Sequence, residues 1–143
     1  MSALPAGYEI CGDTSRIDAA AAHAYLTRSY WSPGIALTRV EKALANSLCV
    51  AIFHQEAQVA LARVVTDYAT FAYLADVYVL EDHRGQGLSH ILVDWLQTHP
   101  DLQGLRRWAL FTQDAHELYA KHGWSVFPHP DRLMTRDNTE AYA

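Results

Sequence analysis

The strand-like run Val77-Tyr78-Val79-Leu80 leads into Arg84-Gly85-Gln86-Gly87-Leu88-Ser89, and an amphipathic segment starts at once. The amides of a helix's first turn lack internal partners, and the aligned peptide dipoles add roughly half a positive charge there. Gly85 and Gly87 present no Cβ to hold an anion away from that backbone. Arg84 adds a permanent cation at the rim. These residue types in this order suit a pyrophosphate.

Two familiar phosphate loops do not fit. A Walker A loop requires Lys-Ser/Thr after its last glycine, and none follows here. The dinucleotide fingerprint needs glycine or alanine where His90 stands, and no acidic residue ending a following strand is evident. The stretch instead resembles motif A of the GNAT superfamily of acyl-CoA-dependent N-acyltransferases, R/Q-x-x-G-x-G/A. Arg84 and Gly87 match it, and Ser89 departs from it while staying small. Downstream, Asp114 to Phe127 resembles the superfamily's LYxxxGF element through Leu118, Tyr119, Gly123 and Trp124. The resemblance spans residues 8 to 136.

It implies an α/β fold: a mixed, mostly antiparallel twisted central sheet flanked by helices. It also implies an N-acetyltransferase that moves an acetyl group from acetyl-CoA to a primary amine by direct attack in a ternary complex. By position, the backbone of Val77, Tyr78 and Val79 pairs with the pantetheine arm. Arg84, Gly85, Gln86, Gly87, Leu88 and Ser89, with His90, hold the diphosphate, and Thr112 touches the cofactor's amides. Tyr119 matches the phenol that protonates the leaving thiolate; a phenol of ordinary pKa, about 10, suits that task. Asp76 is the first candidate to orient or deprotonate the amine, because Ala75 stands where some relatives carry glutamate. Asp67, in the adjoining hairpin, is the second; as a turn residue it could equally bond local backbone. Tyr30, Trp31, Tyr68, Phe71 and Tyr73 are expected to wall the acceptor pocket, where aromatic faces suit an ammonium.

Two rival readings stand beside this one: a non-catalytic acyl-CoA sensor of the same fold, and a different phosphate ligand such as a nucleotide. The eight histidines are scattered, and the spacing of His116 and His122 does not suit one metal on one helix face. No metal is expected, and each histidine reads as a lone surface or core residue.

At 143 residues the chain reads as one domain with a core of its own. Half of it is apolar, yet no run approaches the ~18 residues that cross a bilayer. Met1 to Ile10 lacks the basic and apolar regions of a secretory leader, so a cytoplasmic location without membrane association is expected. A net charge of -5 argues against nucleic acid. Cys11 and Cys49 are too few for a disulfide framework. The expected partner is a small amine or a peptide N-terminus, with the protein a monomer or homodimer.

The elements that must position these residues follow from pattern. Strands are predicted at 8–11, 48–54, 59–65, 71–80, 105–111, 124–127 and 132–136. Helices are predicted at 17–26, from Thr38 with a Thr38–Glu41 capping box, at 86–97 and at 115–122. Apolar residues on both faces of 59–65 mark a central strand.

Overall fold

The computed structural model describes residues 3–142. Five strands form one sheet in sequence order: β1 (Tyr8–Cys11), β2 (Leu48–His54), β3 (Ala57–Thr66), β4 (Phe71–Val79) and β5 (Arg107–Ala109). Every neighbouring pair is antiparallel except β4 and β5. The helices are α1 (Ala19–Leu26), α2 (Leu37–Ala45), α3 (Leu88–Gln97) and α4 (His116–Ala120). The mixed sheet flanked by helices is the architecture expected from the resemblance, and β3 is its centre.

Each face of the sheet has a core. Val50, Ile52, Ala60, Ala62, Val64, Ala72 and Leu74 face Leu88, Leu92, Val93 and Leu96 of α3. Ala51, Phe53, Leu61 and Tyr78 face Ala22 and Leu26 of α1 and Val40 and Leu44 of α2. Strand side chains alternate between faces, so only a two-sided apolar strand such as β3 fits the middle.

Several boundaries differ from expectation for local reasons. The first helix begins after Asp18, whose carboxylate accepts the Ala21 N–H at 3.0 Å. Asp18 is itself clamped by buried Gln58, which accepts its N–H at 2.8 Å and donates to its carbonyl at 3.0 Å. The Thr38–Glu41 capping box does not form, because α2 starts after Ala36 without a side-chain cap. The helix expected from Gln86 starts at Leu88, since Gly87 is its N-cap with φ +78°. The fifth strand shortens to three residues. The two closing strands, 124–127 and 132–136, are absent among the described residues. Pro128 and Pro130 offer no N–H to a ladder, Pro130–Arg132 turns as a 3-10 helix, and Met134 is 91% exposed.

Candidate active site

β5 pairs with β4 only at Phe71, Ala72 and Tyr73, so from Leu74 to Val79 that edge of β4 has no strand partner among the described residues. A cleft of about 650 Å³ opens there. Val77, Tyr78 and Val79 line it, with Arg84, Gly85, Gly87, Leu88, Ser89 and His90 from the loop and α3. Tyr119, Leu118, Ala115 and Asp114 line it from α4 and its approach, and Tyr25, Arg28, Ser29, Tyr30 and Trp31 from α1 and the following loop.

The amides of Gly85 to His90 meet no protein acceptor among the described residues; the first helical bond of α3 is Ile91 N–H to Gly87 C=O. Six successive donors are therefore available at a helix N-terminus. Arg84 is tethered rather than free. Its Nε donates to the Val79 carbonyl at 2.9 Å, and a second guanidinium nitrogen reaches the Tyr25 hydroxyl at 3.1 Å. Arg28, in the turn just past α1, forms a two-pronged pair with Glu81 at 2.7 and 3.0 Å, and that contact pulls the Glu81 carboxyl down to about 2.

Tyr119 is 8% exposed and packs on Trp124, with ring centroids 5.9 Å apart. Burial, then the nearby Tyr30 and Asp114, pushes its hydroxyl up to about 12. No hydrogen bond engages that hydroxyl among the described residues. Tyr30 is held in place by accepting the Gln113 N–H at 3.1 Å.

Asp76 sits in a bulge. Arg63 pairs with Ala75 and Leu61 with Tyr78, so Asp76 and Val77 together oppose Ala62. Its φ is +54°, a left-handed conformation that aspartate tolerates better than most residues. Both carboxylate oxygens are engaged: Oδ1 accepts the Trp31 indole N–H at 2.8 Å, and Oδ2 accepts Arg63 Nε at 2.7 Å. Arg63 also donates to Ser47 Oγ at 3.1 Å.

Asp67 accepts from the amides of Ala69, Thr70 and Phe71 and from the Thr70 hydroxyl, which holds its carboxyl far below the usual carboxylate range. This is the local turn role open to it from the start. Neither Asp67 nor Asp76 lines the cleft, although Asp76 bonds Trp31, which does.

Other expected residues also stand outside the lining. Gln86 donates to the Tyr8 hydroxyl at 2.8 Å. Thr112, beyond the shortened β5, accepts the Ala115 N–H at 3.0 Å. Tyr68 and Phe71 are exposed near the β3–β4 hairpin, and Tyr73 packs edge-on against Phe111 at 6.0 Å.

The histidines are not all solitary. His90 Nδ1 lies 2.8 Å from His122 Nε2, and His83 Nδ1 lies 2.7 Å from the Tyr8 hydroxyl. These partners are 32 and 75 residues apart, so spacing could not reveal them. Tyr25, Arg28 and Asp114 were missed as lining residues. Arg28 lies two residues past the end of α1, so helical spacing from Tyr25 did not mark it. Among the described residues no three His, Cys, Asp or Glu side chains gather as metal ligands, and no helix is long and apolar enough to cross a membrane.

The model of the acetyltransferase (GNAT) family matches residues 15–124. A solved structure of a candidate acetyltransferase from Xanthomonas campestris pv. campestris is 45% identical, with a TM-score of 0.91 over 95% of this chain and 96% of that one. A candidate acetyltransferase of Gibberella zeae is 30% identical over 115 residues, 65% of this chain; the chain spans 63% of that relative's length. A Clostridium acetobutylicum structure described as an acetyltransferase with acetyl-CoA shares the fold, with a TM-score of 0.68 at 17% identity over 95% and 98% of the two chains.

Proposed function

The chain belongs to the GNAT family of acetyltransferases, and from that premise we propose that it passes an acetyl group from acetyl-CoA to a primary amine by direct attack in a ternary complex. The observation that carries the reading is the run of unengaged amides from Gly85 to His90, set in the same cleft as the unpaired edge of β4. The first feature fits a diphosphate, and the second fits an arm that adds to a sheet edge as a strand does.

Acetyl-CoA supplies an activated thioester whose carbonyl carbon takes the amine as the carbon–sulfur bond breaks. The chain's part is to bind, orient and stabilise charge. Gly85 to His90 hold the phosphates, Val77 to Val79 align the arm, and a β4 amide polarises the carbonyl. Tyr119, with its hydroxyl near 12, stays protonated at neutral pH. Full proton transfer from so weak an acid to a thiolate of ordinary basicity is uphill. Its role is to donate a hydrogen bond to the sulfur as charge develops there. Asp76, with both oxygens occupied, serves to hold Trp31 against the acceptor rather than to remove its proton. The acceptor then reacts as the fraction already neutral in solution, and the proton its nitrogen sheds as the amide forms passes through solvent to the departing thiolate.

The acceptor is a primary amine on a small molecule or a peptide N-terminus. A second reading, an acyl-CoA sensor without turnover, draws on the same engagement of Asp76 together with Ala75 in the glutamate position. Thiol release from acetyl-CoA over a panel of amines and peptides separates the two. Turnover that rises with pH toward the acceptor's own pKa supports the transferase. Tight binding of acetyl-CoA with no thiol released on any acceptor supports the sensor. Stabilisation by ATP or NAD but not by acetyl-CoA in a thermal-shift titration would reject both.

A further inference from the structure

His90 stands at the third position of α3, inside the cleft and beside the free amides. Its Nδ1 is 2.8 Å from Nε2 of His122, and the two rings meet edge to edge with centroids 5.0 Å apart and planes 29° from parallel. His122 follows α4, donating its N–H to the Tyr119 carbonyl at 2.9 Å, while its own carbonyl accepts from Gln97 of α3 at 3.2 Å. The pair bridges the element that carries the amides and the element that carries Tyr119.

A contact this short between two imidazole nitrogens holds one proton. If both facing nitrogens carried hydrogens the bond would be lost, so the intact pair is either neutral or singly charged. Within that bond His90 has one nitrogen left, Nε2, which no protein group engages among the described residues. We propose that His90 and His122 act as one proton-carrying unit at the phosphate end of the cleft, so that an anionic diphosphate is bound by a shared imidazolium and its binding takes up one proton from solvent. The proposal rests on the reading of this cleft as an acyl-CoA site, and adds to it His122, which no resemblance marks.

The surrounding charges set the direction. Asp94, one turn along α3 from His90, favours the charged pair. Arg84, on the loop that leads into α3, and Arg28 line the same cleft and oppose it, as does Lys121 next to His122 in the chain, while Asp114 lines the cleft and favours it. Burial and then the neighbouring His90 lower the His122 pKa, so without ligand His122 is biased toward its neutral form. A diphosphate reverses that bias, because its charge favours the imidazolium. The sign follows: affinity is highest where the pair is protonated and falls as pH rises through its titration.

The test uses 3′-dephospho-CoA, which keeps the diphosphate and lacks the phosphomonoester that titrates near neutral pH. Calorimetry of the wild-type protein near pH 7, in buffers of different ionisation enthalpy, should show net proton uptake on binding. The Kd should rise by up to about tenfold per pH unit, the limit for one linked proton. His90→Gln and His122→Gln, which keep a hydrogen-bonding side chain but cannot hold the charge, should each abolish the uptake and flatten the pH profile. Binding without proton uptake in the wild type overturns the proposal and leaves the cofactor site standing, as does uptake that persists in both variants. No binding of either 3′-dephospho-CoA or CoA itself at any pH overturns the site reading instead.

Discussion

Asp76 carries the sharpest prediction, because stability and chemistry can be separated there. Its bond to Arg63 is 2.7 Å long, and the two side chains are only 10% and 17% exposed. Asp76→Asn removes the charge but keeps an oxygen for the Trp31 indole, and so leaves the Arg63 cation nearly buried and unbalanced. Breaking one side of such a pair costs about 3–5 kcal/mol. Retention of the Trp31 bond and partial access to water favour the lower end, about 3 kcal/mol. For a domain of this size that is a fall in Tm of roughly 10 °C. Arg63→Gln/Asp76→Asn removes both charges and should recover all but about 1 kcal/mol, so the losses of the two single variants are strongly non-additive.

Urea melts of the four proteins in this cycle measure the coupling, and thiol-release kinetics on the double variant measure the chemistry. A single variant within about 1 kcal/mol of wild type would refute the energetic argument. If Asp76 only positions Trp31, the double variant, which retains the Trp31 bond, keeps both its kcat and its acceptor affinity. A fall in kcat of a hundredfold or more in that folded protein, with the pH profile losing a limb, would make Asp76 the base after all.

Tyr119→Phe should lower kcat by roughly a hundredfold with little change in acetyl-CoA Kd; a larger change in Kd than in kcat would remove the hydroxyl from the chemistry. Because the Tyr119 pKa is raised from about 10 unfolded to about 12 folded, its contribution to stability is intact below pH 10 and is lost between the two values. That loss is worth about 3 kcal/mol and should be absent from Tyr119→Phe in alkaline melts. Gly87→Val forces a branched side chain into φ +78° and sets it against the anion site, so it should raise the cofactor Kd far more than it lowers kcat at saturation. Asp67→Ala should lower Tm at pH 7, and the difference should shrink as pH falls below about 4, since the depressed carboxyl stabilises only while ionised. Its kcat should match wild type, and a large loss there would return Asp67 to the chemistry.

The glycine loop, the five strands and the central place of β3 were legible because each depends on residues close in sequence. The apolar stripe of α3 is a case of this kind. What the chain hid are contacts between distant positions. Arg28 meets Glu81 across 53 residues, and Trp31 meets Asp76 across 45. The closing strands were read from side-chain pattern alone, yet a strand also needs an edge to pair with, and β5 contributes only three residues. The cap at Thr38 failed for a related reason: Ala36 reaches extended geometry first, with φ -76° and ψ 149°, and the helix starts there.

The bulge was in the sequence but written in a form that alternation hides. Along β4, Ala72 and Leu74 face α3, and so do Val77 and Val79, while Tyr78 faces α1 and α2. A regular strand would have put residues 76 and 78 with 72 and 74. The switch occurs at Asp76, where the backbone turns to φ +54°. With Asp76 omitted, the run Phe71-Ala72-Tyr73-Leu74-Ala75-Val77-Tyr78-Val79 alternates without a break, so Asp76 is the inserted residue. Its side chain is thereby freed from the ladder's alternation and reaches Trp31 and Arg63. A chain lacking Asp76 and carrying Arg63→Gln should fold with the sheet intact and with acetyl-CoA still bound, because every apolar side chain of β4 keeps its face. It should lose acceptor affinity, since Trp31 has lost its anchor. An unfolded product would show instead that the bulge is needed to build the sheet.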